Sequence, residues 1–300
     1  MIWYVEAVNR ETQVTPEQFI GWLEKKSQPN SHAYFQKPLI MGILNVTSDS
    51  FSDGGNYLSM DRACEHAFNL IAQGADIIDI GGESTKPGAI YVSLDEELSR
   101  VIPVIEHIRK NSDICISIDT YKPQVMHAAI SAGANIINDI YSLRKEGALA
   151  MAAQLNVPVC LMHMQGDPQN MQDNPHYPDG VMAELQRFFL ERINACENAG
   201  IDRTHLIIDP GFGFGKRVHN NLNLMNRLNE LTHLNRPVLL GVSRKSTIGA
   251  VLGKEVNQRL LGSISLAVYA ALKGVGILRT HDVEETQQAL LMIDAVCQAG

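Results

Sequence analysis

Asn45, Glu83, Asp119, Asn138, His163, Asp209, Lys245 and the pair Arg279 and His281 each stand at or just past the end of a short run rich in Ile, Val and Leu. Their types sort into two chemistries. The carboxylates of Asp119 and Asp209 and the amide of Asn138 suit a flat heterocycle that offers N–H groups, because carboxylates accept hydrogen bonds and an amide both donates and accepts. Arg279 and His281, in ILRTHDV, suit an anion: a guanidinium presents a planar fork of donors and an imidazole adds another. Polar groups of both kinds at strand ends point to an enzyme.

Each position also has a plainer reading. Asp119 precedes Thr120 and Pro123 and would serve as a helix cap, as would Asp209. Lys245, in GVSRKS, is open to three roles: a Schiff-base amine, a charge partner for Asp209 or a surface lysine. Its place between Arg244 and Ser246 at a helix start favours a fixed cation, since a Schiff-base lysine normally lies within a strand and needs a depressed pKa. The glycines of LIIDPGFGFGK lack phosphate-loop spacing, and Arg217 stands where Ser or Thr would be needed. They suit a tight backbone path beside a flat ligand, with Phe212 or Phe214 as a face, or a plain turn with core phenylalanines. His163 is a candidate for the rim of the site; His66, His107, His127 and His219 receive no role.

These groups need a scaffold that gathers them. Apolar runs at Leu39 to Val46, Ile77 to Gly81, Ile114 to Ile118, Ile136 to Ile137, Val157 to Met162, Leu206 to Ile208, Val238 to Val242 and Val275 to Leu278 read as strands buried on both faces. Helix punctuation lies between them. Ser93 and Glu96 have capping-box spacing, Pro123 suits a first helical position, and Gly74, Gly133, Gly200 and Gly274 follow helical patterns as stops. Eight strand–helix units most simply make a (β/α)8 TIM barrel over residues 38–300, with an open doubly wound sheet as the alternative. Barrel closure predicts Asn45 beside Arg279 and His281, the last two sharing a face if the strand runs as far as His281. Residues 1–37 read as an extension whose helix starts at Thr15-Pro16-Glu17 and covers the core with Phe19, Leu23 and Ile20 or Trp22.

Two rim connections, GILNVTSDSFSDGG and GGESTKPGA, combine glycines with polar side chains and suit closing loops, although the first would also serve as a plain polar connection. A net charge of −8 argues against a general nucleic-acid or membrane-surface binder, so any anion is held by a local cluster. The five cysteines are scattered singly, as expected of reduced thiols in a cytosolic protein, and no signal or spanning segment is evident.

With GILNVTSDSFSDGG, IDIGGESTKPGA, ISIDTYKP, IINDI, LMHMQG, IDPGFGFGK, GVSRKS and LRTHD in this order, the chain from about Pro38 onward resembles the bacterial dihydropteroate synthases, the sulfonamide-target family of folate biosynthesis. The resemblance implies a TIM barrel that joins 6-hydroxymethyl-7,8-dihydropterin pyrophosphate to p-aminobenzoate with Mg2+, working as a homodimer in the cytoplasm. Carried over by motif, Asp119, Asn138, Asp209 and Lys245 would hold the pterin. Asn45, Arg279 and His281 would hold the pyrophosphate, with Asn45 also touching the metal, and the catalytic set would be Asn45, Lys245, Arg279 and His281. Thr85, Lys86, Pro87, Phe214 and Ser243 would border p-aminobenzoate, and Phe51 and Asp53 would close over it. Ser48, Lys86 and Tyr121 depart from the family's usual proline, arginine and serine. A pterin-dependent methyltransferase would not need Arg279 and His281; a Schiff-base aldolase would need a reactive Lys245; a non-catalytic pterin binder would have lost one of Asn45, Lys245, Arg279 or His281.

Overall fold

The computed structural model describes residues 14–28, 35–47, 56–86 and 88–299, and for 56–59 the backbone alone. Helix α1 (Pro16–Lys26) opens the described chain, and its start follows from the sequence: Thr15 accepts from the Gln18 amide while the Gln18 side chain returns to Thr15 N–H. The strands are β1 (Leu39–Asn45), β2 (Ile77–Gly81), β3 (Cys115–Asp119), β4 (Ile136–Asp139), β5 (Val159–Met162), β6 (Leu206–Asp209), β7 (Leu239–Leu240) and β8 (Ile277–Thr280). Between and after them run α2 (Asn56–Ala72), α3 (Leu94–Asn111), α4 (Pro123–Ser131), α5 (Ala148–Leu155), α6 (Val181–Asn198), α7 (Val218–Asn226), α8 (Ser246–Leu252), α9 (Leu260–Leu272) and α10 (Val283–Gln298).

All pairings are parallel, in the order β6-β5-β4-β3-β2-β1-β8-β7, and a bridge between Ile208 and Val238 joins the two ends into a barrel. The open-sheet alternative is thereby removed. Pro123 stands at the start of α4, and Gly74, Gly133, Gly200 and Gly274 take left-handed φ values of 102°, 112°, 92° and 89° just past their helices. Ser93 caps α3 by accepting from the Glu96 amide. Strand β7 is shorter than the run from Val238 to Val242 suggested. Pro237 before it lacks an N–H, and after it the Val242 carbonyl is taken by the Lys245 amide in a turn.

Strand alternation explains where chemistry can sit. Met41, Ile77, Cys115, Ile136, Cys160, Ile207, Leu239 and Ile277, one from each strand, meet inside the barrel, with Phe19 and Leu23 of α1 packed against them. This apolar layer is a sealed floor. Two residues further along the same strands, on the same inner face, stand Ile43, Asp79, Ser117, Asn138, Met162, Asp209, Gly241 and Arg279. The interior therefore changes from apolar to polar within one step of the strand repeat. The opposite faces, such as Ile40, Ile78, Ile116 and Leu278, pack under the helices in the larger core.

Candidate active site

Asp79 is the centre of the polar layer. It is fully buried and accepts from Arg279 Nε at 2.6 Å and from Asn138 Nδ2 at 3.2 and 3.4 Å. The second arm of the Arg279 fork reaches Asp119 Oδ2 at 2.9 Å. One guanidinium thus bridges two carboxylates, which would otherwise repel each other where water cannot screen them. Burial works against the Arg279 charge, but Asp79 and Asp119 more than offset it and hold its pKa above the ordinary range. Asp119 is pushed up to about 7: burial is the largest cause, opposed by Arg279 and aided by Asp79. The capping reading of Asp119 is replaced, because α4 starts at Lys122 without a side-chain cap. Ser117 Oγ, between Asp79 and Ile136 in register, is buried without a hydrogen-bond partner among the described residues.

Asp209 ends β6 and accepts from the Gly211 amide at 2.7 Å; burial raises its pKa to about 6, against the pull of that amide and of Lys245. The following glycines are required by geometry. Gly211, Gly213 and Gly215 have φ values of 64°, 85° and 59°, and a Cβ on Gly211 would collide with the His163 carbonyl oxygen. This tight path sends Phe212 into the core and leaves Phe214 half-buried, with Lys245 Nζ 4.0 Å from its ring centroid. Phe214, rather than Phe212, is therefore the face available to a flat ligand. Lys245 is lowered to about 8, chiefly by burial and then by the Arg279 charge.

His163 does not line the rim. It is buried behind the glycine loop, edge-on to Phe188, and its Nδ1 lies 2.9 Å from the ammonium of Lys216, which also donates to the Gly211 and Phe214 carbonyls at 3.0 and 3.1 Å. Lys216 is thus the internal tie of the loop, and burial brings its pKa down to about 7.

At the β7–β8 side, Ser243 Oγ lies 3.0 Å from His281 Nδ1 and accepts from the His281 backbone N–H at 3.3 Å. Burial, with Arg279 and Arg244, drops the His281 pKa to about 3, so it is a neutral imidazole at pH 7. Lys86, from the β2–α3 connection, is among the charges His281 feels, which brings that connection to the same side of the mouth. Strand β1 does lie beside β8, as closure required. Yet Arg279 is level with Met41, so Asn45 stands four residues further toward the mouth, level with Gly81 on the other side. Arg279 accordingly sits deeper than its expected partners, among the acids. Thr85 and Lys86 lie on the connection; Phe51, Asp53 and Pro87 lie outside the described residues.

Three contributors carried no role in the sequence reading: Asp79, Lys216 and Lys122. A charged residue in the middle of the otherwise apolar run Ile77 to Gly81 was the signal for Asp79, since an unpaired carboxylate there would be costly. For Lys216 no local signal existed. Among the described residues no group of three or more His, Cys, Asp or Glu is arranged to hold a metal. Beside the mouth a cavity of about 420 Å³ is lined by Glu83, Thr85, Tyr121, Lys122, Tyr141 and Lys145 among others.

Comparison with known proteins gives consistent matches. Residues 41–281 match the family model described as "Pterin binding enzyme". The dihydropteroate synthase of Escherichia coli K12 is 53% identical over 262 residues, 87% of this chain and 93% of that one, and that of Bacillus subtilis is 45% identical over 275 residues, 91% and 94% of the two chains. Among solved structures, Xanthomonas albilineans dihydropteroate synthase with 4-aminobenzoic acid superposes with a TM-score of 0.83 at 51% identity, covering 88% of this chain and 94% of that one. The same enzyme in complex with 7,8-dihydropteroate gives 0.80 at 48% identity, covering 88% and 95%.

Proposed function

Since the chain belongs to the pterin-binding enzyme family and, like these relatives, is a transferase that makes dihydropteroate from a dihydropterin pyrophosphate and p-aminobenzoate, we propose a division of labour within its barrel. Asp119, Asn138 and Asp209 read the N–H-rich edge of the pterin, and Lys245, poised over Phe214, supplies a donor to its acceptor side. The observation that carries this reading is the polar layer above the sealed floor, where acids, an amide and two cations converge on one face of the strands.

In the reaction the exocyclic methylene carbon loses its C–O bond to pyrophosphate and gains a C–N bond to the arylamine, which then gives up a proton. The amine is neutral at pH 7, so no base is needed to free its lone pair. Departure of pyrophosphate is the demanding step. Arg279 and His281 stabilise charge on the leaving group, His281 as a neutral donor, and the nearby carboxylates favour the electron-poor methylene. With ligand bound, Arg279 exchanges part of its contact with Asp79 and Asp119 for phosphate oxygens. Ser243, Phe214, Thr85, Lys86 and Pro87 border the arylamine, and Phe51 and Asp53 close over it.

Asn45, at the mouth, would offer one amide oxygen to a Mg2+ that arrives with its pyrophosphate, an ion suited to oxygen donors. Bound there, the ion would neutralise charge on the leaving group. We also assign a homodimer, supported by exposed Leu222, Val251, Leu261 and Leu272 on the neighbouring helices α7, α8 and α9, and a cytoplasmic setting. None of the described helices is long and apolar enough to cross a membrane.

Pyrophosphate release from the pterin pyrophosphate, measured with and without p-aminobenzoate and Mg2+, tests the scheme. Release should require both; release that ignores Mg2+ would remove the metal from the account, and the absence of a pteroate product would remove the reading as a whole.

A further inference from the structure

The connection between β2 and α3 is fastened at both ends by one side chain that does not reach the polar layer. Lys122, the residue just before α4, is buried, and its ammonium donates to Glu83 Oε2 at 2.6 Å, to the Val92 carbonyl at 2.7 Å and to Glu97 in the first turns of α3. Glu83 opens the connection and Val92 nearly closes it. Tyr121, the neighbour of Lys122, donates its hydroxyl to the same Glu83 carboxylate at 3.1 Å, and Arg100 donates to the Gly82 carbonyl at 2.7 Å. Thr120 completes the cluster by donating to Glu97 at 2.7 Å. The ammonium also sits 4.8 and 5.2 Å from the ring centroids of Tyr91 and Tyr121.

Between the tied ends Ile90 is 87% and Tyr91 61% exposed. Thr85 and Lys86 lie in this span. A buried ammonium with all three donors engaged is a rigid anchor, because moving it would strand a charge away from water. Tying both ends lowers the entropy lost when the span orders around a ligand.

We infer that Lys122 is a positioning residue for the arylamine substrate: by clasping Glu83 and Val92 it holds the span that carries Thr85 and Lys86 over the mouth, without touching substrate itself. This rests on the assignment of Thr85 and Lys86 to the p-aminobenzoate site. Tyr121 adds a second tie on Glu83.

Steady-state kinetics of Lys122→Met, which keeps the apolar stem and removes the charge, provide the test. The KM for p-aminobenzoate should rise about tenfold while that for the pterin pyrophosphate stays within about twofold, the size expected for losing charged hydrogen bonds that act on one substrate only. Unchanged KM for p-aminobenzoate, or an equal rise in both constants, overturns the inference. Should that variant fail to fold, Tyr121→Phe replaces it, with a rise of about two- to threefold in the p-aminobenzoate KM alone expected for one neutral-donor bond, and no rise counting against the clasp. Lys86→Ala separates the two layers of argument. If it raises the p-aminobenzoate KM and Lys122→Met does not, the clasp fails alone; if both are silent, the assignment of the span fails too.

Discussion

Arg279 Nε lies 2.6 Å from Asp79 Oδ2, so that β8 reaches across β1 to β2 through a contact between residues 200 positions apart. The same guanidinium holds Asp119, which makes it the hinge between β8 and the acids of β2 and β3.

Removing that hinge should cost both rate and stability. Arg279→Ala is expected to lower turnover by about a hundredfold or more, the range for a lost transition-state donor. It also strands Asp79 and Asp119, a loss of about 3–5 kcal/mol for breaking a buried pair. Without Arg279 the Asp119 carboxyl favours protonation still more, so the stability deficit should be larger at pH 8 than at pH 6. Denaturant unfolding at both pH values, beside pyrophosphate release, checks both effects; wild-type turnover with an intact fold would refute the role.

Asp119 with a pKa of about 7 is a protonated acid below that value and a hydrogen-bond acceptor above it. Pterin recognition through the carboxylate therefore predicts that kcat/KM for the pterin pyrophosphate declines as pH falls through about 7. Asp79→Asn removes a neighbouring negative charge and leaves Arg279 to Asp119 alone. Both changes stabilise the Asp119 carboxylate, so the acid limb should move to lower pH. A limb that stays in place, or moves upward, contradicts the coupling.

Lys216 and Lys245 titrate near 7 and 8 in the folded protein, against 10.5 for an ordinary lysine, with burial as the main cause. Between those limits the unfolded chain binds protons that the folded chain lacks, so these two groups make the fold more stable as pH rises from about 7 to about 10. Below the folded values their unfavourable contribution is complete. Replacing Lys216 by Met should flatten the rise of unfolding free energy across this window; an unaltered slope would mean that Lys216 is charged throughout.

Two glycines with similar backbones should respond differently to alanine. Gly253, with φ of 65° and open space around its missing Cβ, should lose only the left-handed preference, about 1–2 kcal/mol. Gly211, at 64°, would also drive a Cβ into the His163 carbonyl, displacing the loop that carries Phe214. Gly211→Ala should therefore be the more destabilising of the two and should weaken pterin binding, whereas Gly253→Ala leaves binding unchanged. Calorimetric binding of a pterin and thermal unfolding of both variants decide this.

Local chemistry made much of this protein legible in its sequence. The Thr15 cap, the stops at Gly74 and Gly133 and the inward periodicity of each strand depend on neighbours a few residues away, and those neighbours are fixed by the chain itself. The motif order from Asn45 to His281 carried the family and its chemistry. What only the tertiary structure decided was register and depth. Parallel pairing places Arg279 level with Met41 rather than Asn45, which puts it among the acids, and makes Asp79 the hub of the layer. It also buries Lys216 behind His163 and aims Lys122 at both ends of one connection. A strand's alternation says which face a side chain takes, but the stagger between strands distant in sequence sets which charges meet, and that stagger exists only once the barrel has closed.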